Sequence, residues 1–216
     1  MEKCAKEYVL SGISNLSEPK NGIGNTLIIL IFSLVIGQIG FVLRGGRIAI
    51  AAIMIAVAAV ASGVCIATTK RVDIKTRLVR QITVVASWVS TFYFSAVLMC
   101  SMLALNVWLR VAIDVVFLLI ICLIPVCMGL RNARRIRGGT YGSPAKASGG
   151  MTAALLPLIG VAEYAAVRIV LRYAAADMSQ TAAILLCMCG FELVCCGFSI
   201  GLLNVQRLYY FRKFGL

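Results

Sequence analysis

The chain has 216 residues, of which 61% are hydrophobic and 13% are charged, and its mean hydropathy is +0.97. Soluble domains are typically about 45–50% apolar, so this composition excludes an ordinary soluble domain. The net charge is +13, from 21 Lys and Arg against 8 acidic residues. Because the basic residues lie mostly between apolar segments, we expect anionic lipid headgroups, and not nucleic acid, to be their partner.

The apolar residues form long runs without the alternation that a barrel strand requires, so helices are the structure that can carry them through lipid. A helical span needs about 20 residues. The sequence therefore predicts an all-α, multi-pass integral protein of the cell membrane, built as a bundle of about six transmembrane helices. The predicted spans are about 26–43, 48–68, 82–105, 107–130, 151–173 and 181–203.

The first two spans are separated only by a short turn that contains Gly45 and Gly46, which predicts a helical hairpin. The polar lead before them, residues 1–25, lacks a signal-peptide pattern, so we expect the first span to be retained. The second span contains two pairs of small residues at the four-residue spacing that lets helices approach closely in lipid. These pairs are Ala58 with Ser62 and Ala59 with Gly63.

Residues 82–130 contain only two charged side chains, Arg110 and Asp114, and are too long for a single span. The sequence predicts two helices with a break near Asn106. Trp108, beside this break, is typical of a membrane–water interface.

Residues 26–216 are predicted to form a single six-helix transmembrane domain, whose basic residues concentrate in the loops 69–81 and 131–150 and in the aromatic tail 204–216. With six spans, 16 of the 21 Lys and Arg lie on the side of the two termini. An excess of basic residues marks the cytoplasmic side, so both termini are predicted to be cytoplasmic. The side chains expected to contact anionic lipid are Arg131, Arg134, Arg135, Arg137, Lys70 and Arg71.

The predicted fifth span carries three charges, Glu163, Arg168 and Arg172, and ionisable residues at membrane depth indicate function. The two arginines share one helix face and can extend to the outer headgroups. Glu163 lies on the far side of that helix. It either meets a cation of another helix, lines a wet cavity or is protonated.

Two further carboxylates lie in apolar segments. Asp114 follows Arg110 by four residues, so a local structural ion pair is the favoured reading of these two. Glu192 lies near the middle of the last span, where its side chain cannot reach the interface.

A stripe of hydroxyl groups follows one face of the third predicted span, at Thr83, Ser87, Thr91 and Ser95. Such a stripe could line a polar pathway. The alternative, which we favour, is that each hydroxyl bonds the backbone carbonyl one turn earlier.

Eight of the nine cysteines lie within apolar segments, which indicates small unpaired hydrophobes and not a disulfide framework. Cys189, Glu192 and Cys196 would share a helix face, but the chain has no histidine, and we predict no metal site and no cofactor. The sequence also contains no catalytic motif, so we do not expect an enzyme.

The leading hypothesis is a small transporter or permease subunit with a charged pathway through the membrane. The residues expected along the pathway are Glu163, Glu192, Asp114, Arg110, Arg168, Arg172, Ser87, Thr91 and Ser95. The alternative is a non-catalytic membrane partner or sensor subunit whose charges are structural ion pairs, and a membrane-embedded enzyme is third. The expected partners are the lipid bilayer, other membrane subunits or a second copy of the chain.

Overall fold

The structure is a computed structural model that describes residues 2–13, 19–43, 47–71, 73–103, 105–141 and 178–215. All regular secondary structure in these ranges is helical. The predicted span 151–173 and residues 142–150 of the loop 131–150 lie outside the described residues. In chain order the helices are α1 (Glu2–Ile13), α2 (Pro19–Leu43), α3 (Arg47–Ala67), α4 (Ile74–Cys100), α5 (Val107–Arg137), α6 (Met178–Ser199), the 3-10 turn Ile200–Leu202 and α7 (Leu203–Phe214).

Within the described residues, four helical stretches are long and apolar enough to cross a membrane. They are Arg47–Ala67, Ile74–Cys100, Val107–Arg137 and Ile184–Phe214, the last of which includes the 3-10 turn and α7. A shorter apolar stretch, Leu27–Gln38, lies within α2. Large hydrophobic side chains face outward along these helices, and Val60 and Leu186, for example, are 66% and 71% exposed. Such surfaces are suited to lipid.

The helix ends between α3 and α5 are fixed by short polar side chains. Asp73 caps α4 by accepting hydrogen bonds from the backbone N–H and the hydroxyl of Thr76, at 2.9 and 2.8 Å. These bonds lower the pKa of the Asp73 carboxyl. Asn106 caps α5 in the same way by accepting from the backbone N–H of Trp108 at 3.0 Å. The chain therefore breaks between Cys100 and Val107.

Helix α4 is the central element, because it contacts α2, α3, α5, α6 and α7. Half of its apolar stretch is buried, against 17% for α5. The main core lies between α4, α5 and α6, where the rings of Trp88 and Phe198 stack at 5.1 Å beside Phe92. Residues from three helices, Ile29, Ala58, Cys65 and Val84, form a second core between α2, α3 and α4.

The small residues of α3 divide between two faces. Ala58 and Ser62 are buried, and Ala58 lies in the core against α2 and α4. Ala59 and Gly63 are exposed, and a methyl group added at Gly63 would meet no atom within 4 Å. Only the first of the two predicted small-residue pairs therefore packs against the helices that the structure describes.

The N-terminal and C-terminal helices pack against each other. Ala5, Tyr8 and Val9 of α1 form a buried cluster with Ile136 of α5 and Tyr210 of α7. The polar lead and the basic tail are thus helical over most of their length. Both lie at the end of the bundle where α5 terminates.

Candidate functional site

A group of partly buried polar contacts lies where α4 ends and α5 begins. Ser101 is the C-cap residue of α4, and its hydroxyl donates to the Leu98 carbonyl at 2.6 Å. Arg47, at the start of α3, donates from Nε to the Ser101 hydroxyl at 3.0 Å and from Nη2 to the Ser101 carbonyl at 2.7 Å. Arg110 of α5 donates from Nη1 to the same carbonyl at 3.1 Å. We name these three residues the Ser101 junction.

The Ser101 junction is a favourable place for positive charge. The carbonyls at the last turn of a helix carry partial negative charge and lack intrahelical donors. Two guanidinium groups supply those donors, and together they hold α3 and α5 against the end of α4. The Nε atom of Arg110 is buried and has no hydrogen-bond partner among the described residues.

Asp114 lies one helical turn beyond Arg110, and its carboxylate is within hydrogen-bonding reach of the Cys100 thiol on α4. Arg110 interacts electrostatically with Asp114, whereas the hydrogen bond of Arg110 goes to the Ser101 carbonyl. Glu192 of α6 is close enough to interact electrostatically with Cys100 and with Cys195. We name Cys100, Asp114 and Glu192 the carboxylate site. It joins α4, α5 and α6.

Of the predicted charged residues, Arg110, Asp114 and Glu192 therefore lie in one region. Glu163, Arg168 and Arg172 lie outside the described residues. Arg110 and Asp114 interact electrostatically, and each side chain also has a contact on α4, which is the Ser101 carbonyl for Arg110 and the Cys100 thiol for Asp114.

The hydroxyl stripe lies on a different face of α4 from Cys100. Thr83 and Ser95 donate to the carbonyls of Val79 and Thr91, at 2.9 and 2.7 Å, which is the local pattern that we favoured. The Thr91 hydroxyl lies 3.1 Å from the hydroxyl of Ser33 on α2. Ser95 also approaches Met54 of α3. These contacts direct the stripe toward the α2–α3 hairpin, whereas Cys100 and Asp114 meet at the α5 side.

Ser87, in the same stripe, is 1% exposed, and its hydroxyl has no hydrogen-bond partner in the part of the chain that the structure describes. An unsatisfied buried hydroxyl is unfavourable in an apolar environment. Ser87 is therefore the member of the stripe that packing alone does not explain.

The basic side chains expected to contact lipid differ in their exposure. Lys70, Arg71, Arg134 and Arg137 are exposed, whereas Arg131 and Arg135 are partly buried. Arg80, which the sequence places in the same basic loop, is only 6% exposed. Its Nη2 atom donates to the carbonyls of Thr68 and Arg71 at 2.8 and 2.9 Å, so it anchors the turn after α3.

The nine cysteines all lie within the described ranges, and none of them forms a disulfide there. Cys65, Cys100, Cys195 and Cys196 are buried, and Cys122, Cys127 and Cys187 are exposed on apolar helices. Within the described ranges, no group of three or more His, Cys, Asp or Glu side chains could hold a metal ion.

Sequence reasoning missed three residues of this region. Arg47 directly follows the glycine turn in sequence, and its partner Ser101 is 54 positions away, so no local pattern connects them. Cys100 lies in an apolar segment, where the sequence predicts only a small hydrophobe. The signal that could have identified Cys100 is its position at the end of α4, opposite Asp114 on the next helix.

Comparisons with protein-family models, curated proteins and solved structures find no match to this chain.

Proposed function

We propose that this chain is a multi-pass integral protein of the cell membrane and acts as a small transporter or permease subunit, with the carboxylate site as its proton-exchanging centre. The membrane placement is supported by the four helices of sufficient length and by their outward-facing hydrophobic side chains. Both termini are placed in the cytoplasm. This orientation is supported by the basic residues of the loops and by the packing of α1 and α7 beside the basic end of α5.

The observation that carries the proposal is the position of Asp114. Its carboxylate faces a thiol from α4, while the nearest arginine on its own helix is bonded to Ser101. A charged carboxylate inside an apolar helix is costly, so such residues commonly serve ion or proton pathways. A carboxylate without a direct guanidinium bond can gain and lose a proton without breaking an ion pair. Glu192 supplies a second acidic group across the helix interface.

Proton flux through reconstituted protein tests the proposal. Purified protein would be placed in liposomes that contain a pH-sensitive dye, and a pH gradient would be imposed. We expect faster proton equilibration than in empty liposomes. Asp114→Asn and Glu192→Gln, which keep the side-chain size and remove ionisation, should reduce the rate toward that of empty liposomes.

Asp73→Asn is the matched control, because it removes a carboxylate at the exposed start of α4. It should leave proton flux unchanged. Equal melting temperatures of the three variants and the unmodified protein would establish that they fold. Flux that equals that of empty liposomes for the unmodified protein, or that is unchanged in Asp114→Asn, would overturn the proposal.

A second candidate function is a non-catalytic membrane partner, and the Ser101 junction favours it. There, Arg47 and Arg110 donate to a backbone carbonyl at the end of α4 and so hold helix ends together. If the carboxylate site has the same purpose, Asp114→Asn should lower the melting temperature and the unmodified protein should show no flux. Co-purification of a defined membrane protein at fixed stoichiometry would then identify the partner.

A further inference from the structure

We infer that α1, the end of α5 and α7 together form a binding surface for anionic phospholipid headgroups. We name this surface the terminal platform, and it comprises residues 2–13, 131–141 and 203–214. The inference rests on the membrane placement in the proposed function and is independent of transport.

Tyr8 holds the three parts of the terminal platform together. Its side chain is 1% exposed, and its hydroxyl donates to Gln206 Oε1 at 2.8 Å. Gln206 in turn donates from Nε2 to the Gly129 carbonyl of α5 at 2.8 Å. The Tyr8 ring also meets the rings of Tyr141 and Tyr210 edge to face, with centroids 5.1 and 6.0 Å apart. One side chain of α1 therefore contacts both other parts of the platform.

On α5 and α7, the charged side chains of the terminal platform are all positive. Residues 131–141 and α7 together contain seven Lys and Arg and no Asp or Glu. On α1, two acidic residues balance two lysines. The exposed cations of the platform are Lys3, Lys6, Arg134, Arg137, Arg212 and Lys213. The four cations on α5 and α7 have no nearby carboxylates on those helices to neutralise them.

Arg207 belongs to the interior of the platform. Its guanidinium lies 5.1 Å from the centre of the Tyr8 ring, and its Nη1 atom donates to Asn204 Oδ1 at 2.6 Å. A cation over an aromatic face and bonded to an amide is held in place. The lipid-binding residues are therefore the exposed cations, and Arg207 positions the helix that carries two of them.

The partner follows from the place of these charges relative to the apolar helices. Two of the helices long enough to span a membrane, Val107–Arg137 and Ile184–Phe214, end within the platform. Its cations therefore lie where helices leave the apolar phase. Tyr209 is 56% exposed, with Lys213 Nζ 5.7 Å from its ring centre, and Tyr beside Lys is typical of the headgroup region. Nucleic acid or an acidic peptide would pair with the cations, but it would leave the exposed ring of Tyr209 without an apolar partner.

Hydrogen–deuterium exchange in lipid nanodiscs tests the inference. The full-length protein would be compared in phosphatidylcholine alone and in mixtures with phosphatidylglycerol. We expect slower exchange in α7 and in residues 131–141 with the anionic lipid, and loss of this protection at high salt. Arg212→Gln with Lys213→Gln should weaken the response, by about fivefold in apparent lipid affinity for each charge removed.

Lys70→Gln with Lys75→Gln is the matched control, since it removes two exposed charges from a different basic stretch. This control should keep the full protection of α7. Equal exchange in both lipids, or equal loss in the control and in the Arg212 and Lys213 variant, would overturn the inference. Protection of α7 by RNA or an acidic peptide in neutral nanodiscs, without any effect of anionic lipid, would also overturn it. Because exchange does not depend on flux, its failure is distinguishable from failure of the transport proposal.

Discussion

Arg47 and Arg110 donate to the same acceptor, the backbone carbonyl oxygen of Ser101, from two helices that are far apart in sequence. Like-charged groups in such proximity repel each other. The partial negative charge at the C-terminal end of α4 offsets part of that repulsion. The Ser101 junction is thus a connection of α3, α4 and α5 that consists of polar contacts at one end of the bundle.

Replacing Arg47 with Leu should destabilise the protein, because two hydrogen bonds from a charged donor are lost at the end of α4. A charge-assisted hydrogen bond contributes about 1.5–3 kcal/mol. Thermal unfolding in detergent would measure the change, and Lys70→Leu, at an exposed position, is the control. Because the two arginines share one acceptor, the Arg47 and Arg110 variants should not be additive. An unchanged melting temperature for Arg47→Leu would show that the junction contributes nothing.

Gly201→Ala should destabilise the protein by about 1–3 kcal/mol, the usual cost of overpacking. A methyl group at Gly201 would lie 2.7 Å from Cγ2 of Val85, a branched side chain with little freedom to move. Gly197→Ala is the control, because nothing lies within 4 Å of the added methyl. Val85→Ala should restore stability to the Gly201 variant, and equal stability of the two glycine variants would contradict the packing.

Tyr8 should make the attachment of α1 sensitive to alkaline pH. Burial raises the pKa of the Tyr8 phenol above its ordinary value of about 10. The stabilisation from neutral Tyr8 is therefore complete below that ordinary value and is lost as pH rises through the raised one. Stability measured from about pH 9 to pH 12 should fall less steeply for Tyr8→Phe. A parallel fall in both proteins would assign the effect to other groups.

Ser87→Ala should leave stability unchanged or increase it by about 1 kcal/mol, because the hydroxyl is buried and no described residue bonds to it. Thr91→Val removes the contact with Ser33 and should cost about 0.6 kcal/mol, as for polar contacts between helices in lipid. Thermal unfolding of both variants tests this difference. A clear loss of stability in Ser87→Ala would mean that the hydroxyl has a partner in the membrane.

Reporter fusions test the proposed orientation. Fusions after Arg80, within residues 131–150 and at the C-terminus should report a cytoplasmic location, and fusions near Gly45 or Asp177 should report the outside. The excess of basic residues on one side is the physical reason. An external signal from residues 131–150 would contradict the six-span arrangement.

The long helices could be predicted because apolar runs of span length permit little else in lipid. The break before Val107 was also accessible, since Asn106 is a good helix cap. Helix α1 was not, because its sequence is polar and its position depends on contacts of Tyr8 with residues more than 130 positions away. The roles of Arg47 and Arg80 could not be predicted for the same reason. They depend on hydrogen bonds to backbone carbonyls whose positions the sequence does not reveal.

The 3-10 turn Ile200–Leu202 decides which side of α7 meets α1. Each 3-10 residue advances about 120° around the helix axis, against about 100° in an α-helix, so three residues add about 60° of rotation. A helical wheel drawn without interruption through Ile184–Phe214 would therefore place Gln206 and Tyr210 on the wrong side of the helix relative to Cys195. The contact of the chain's two ends with each other depends on this local change of pitch in the middle of an apolar helix.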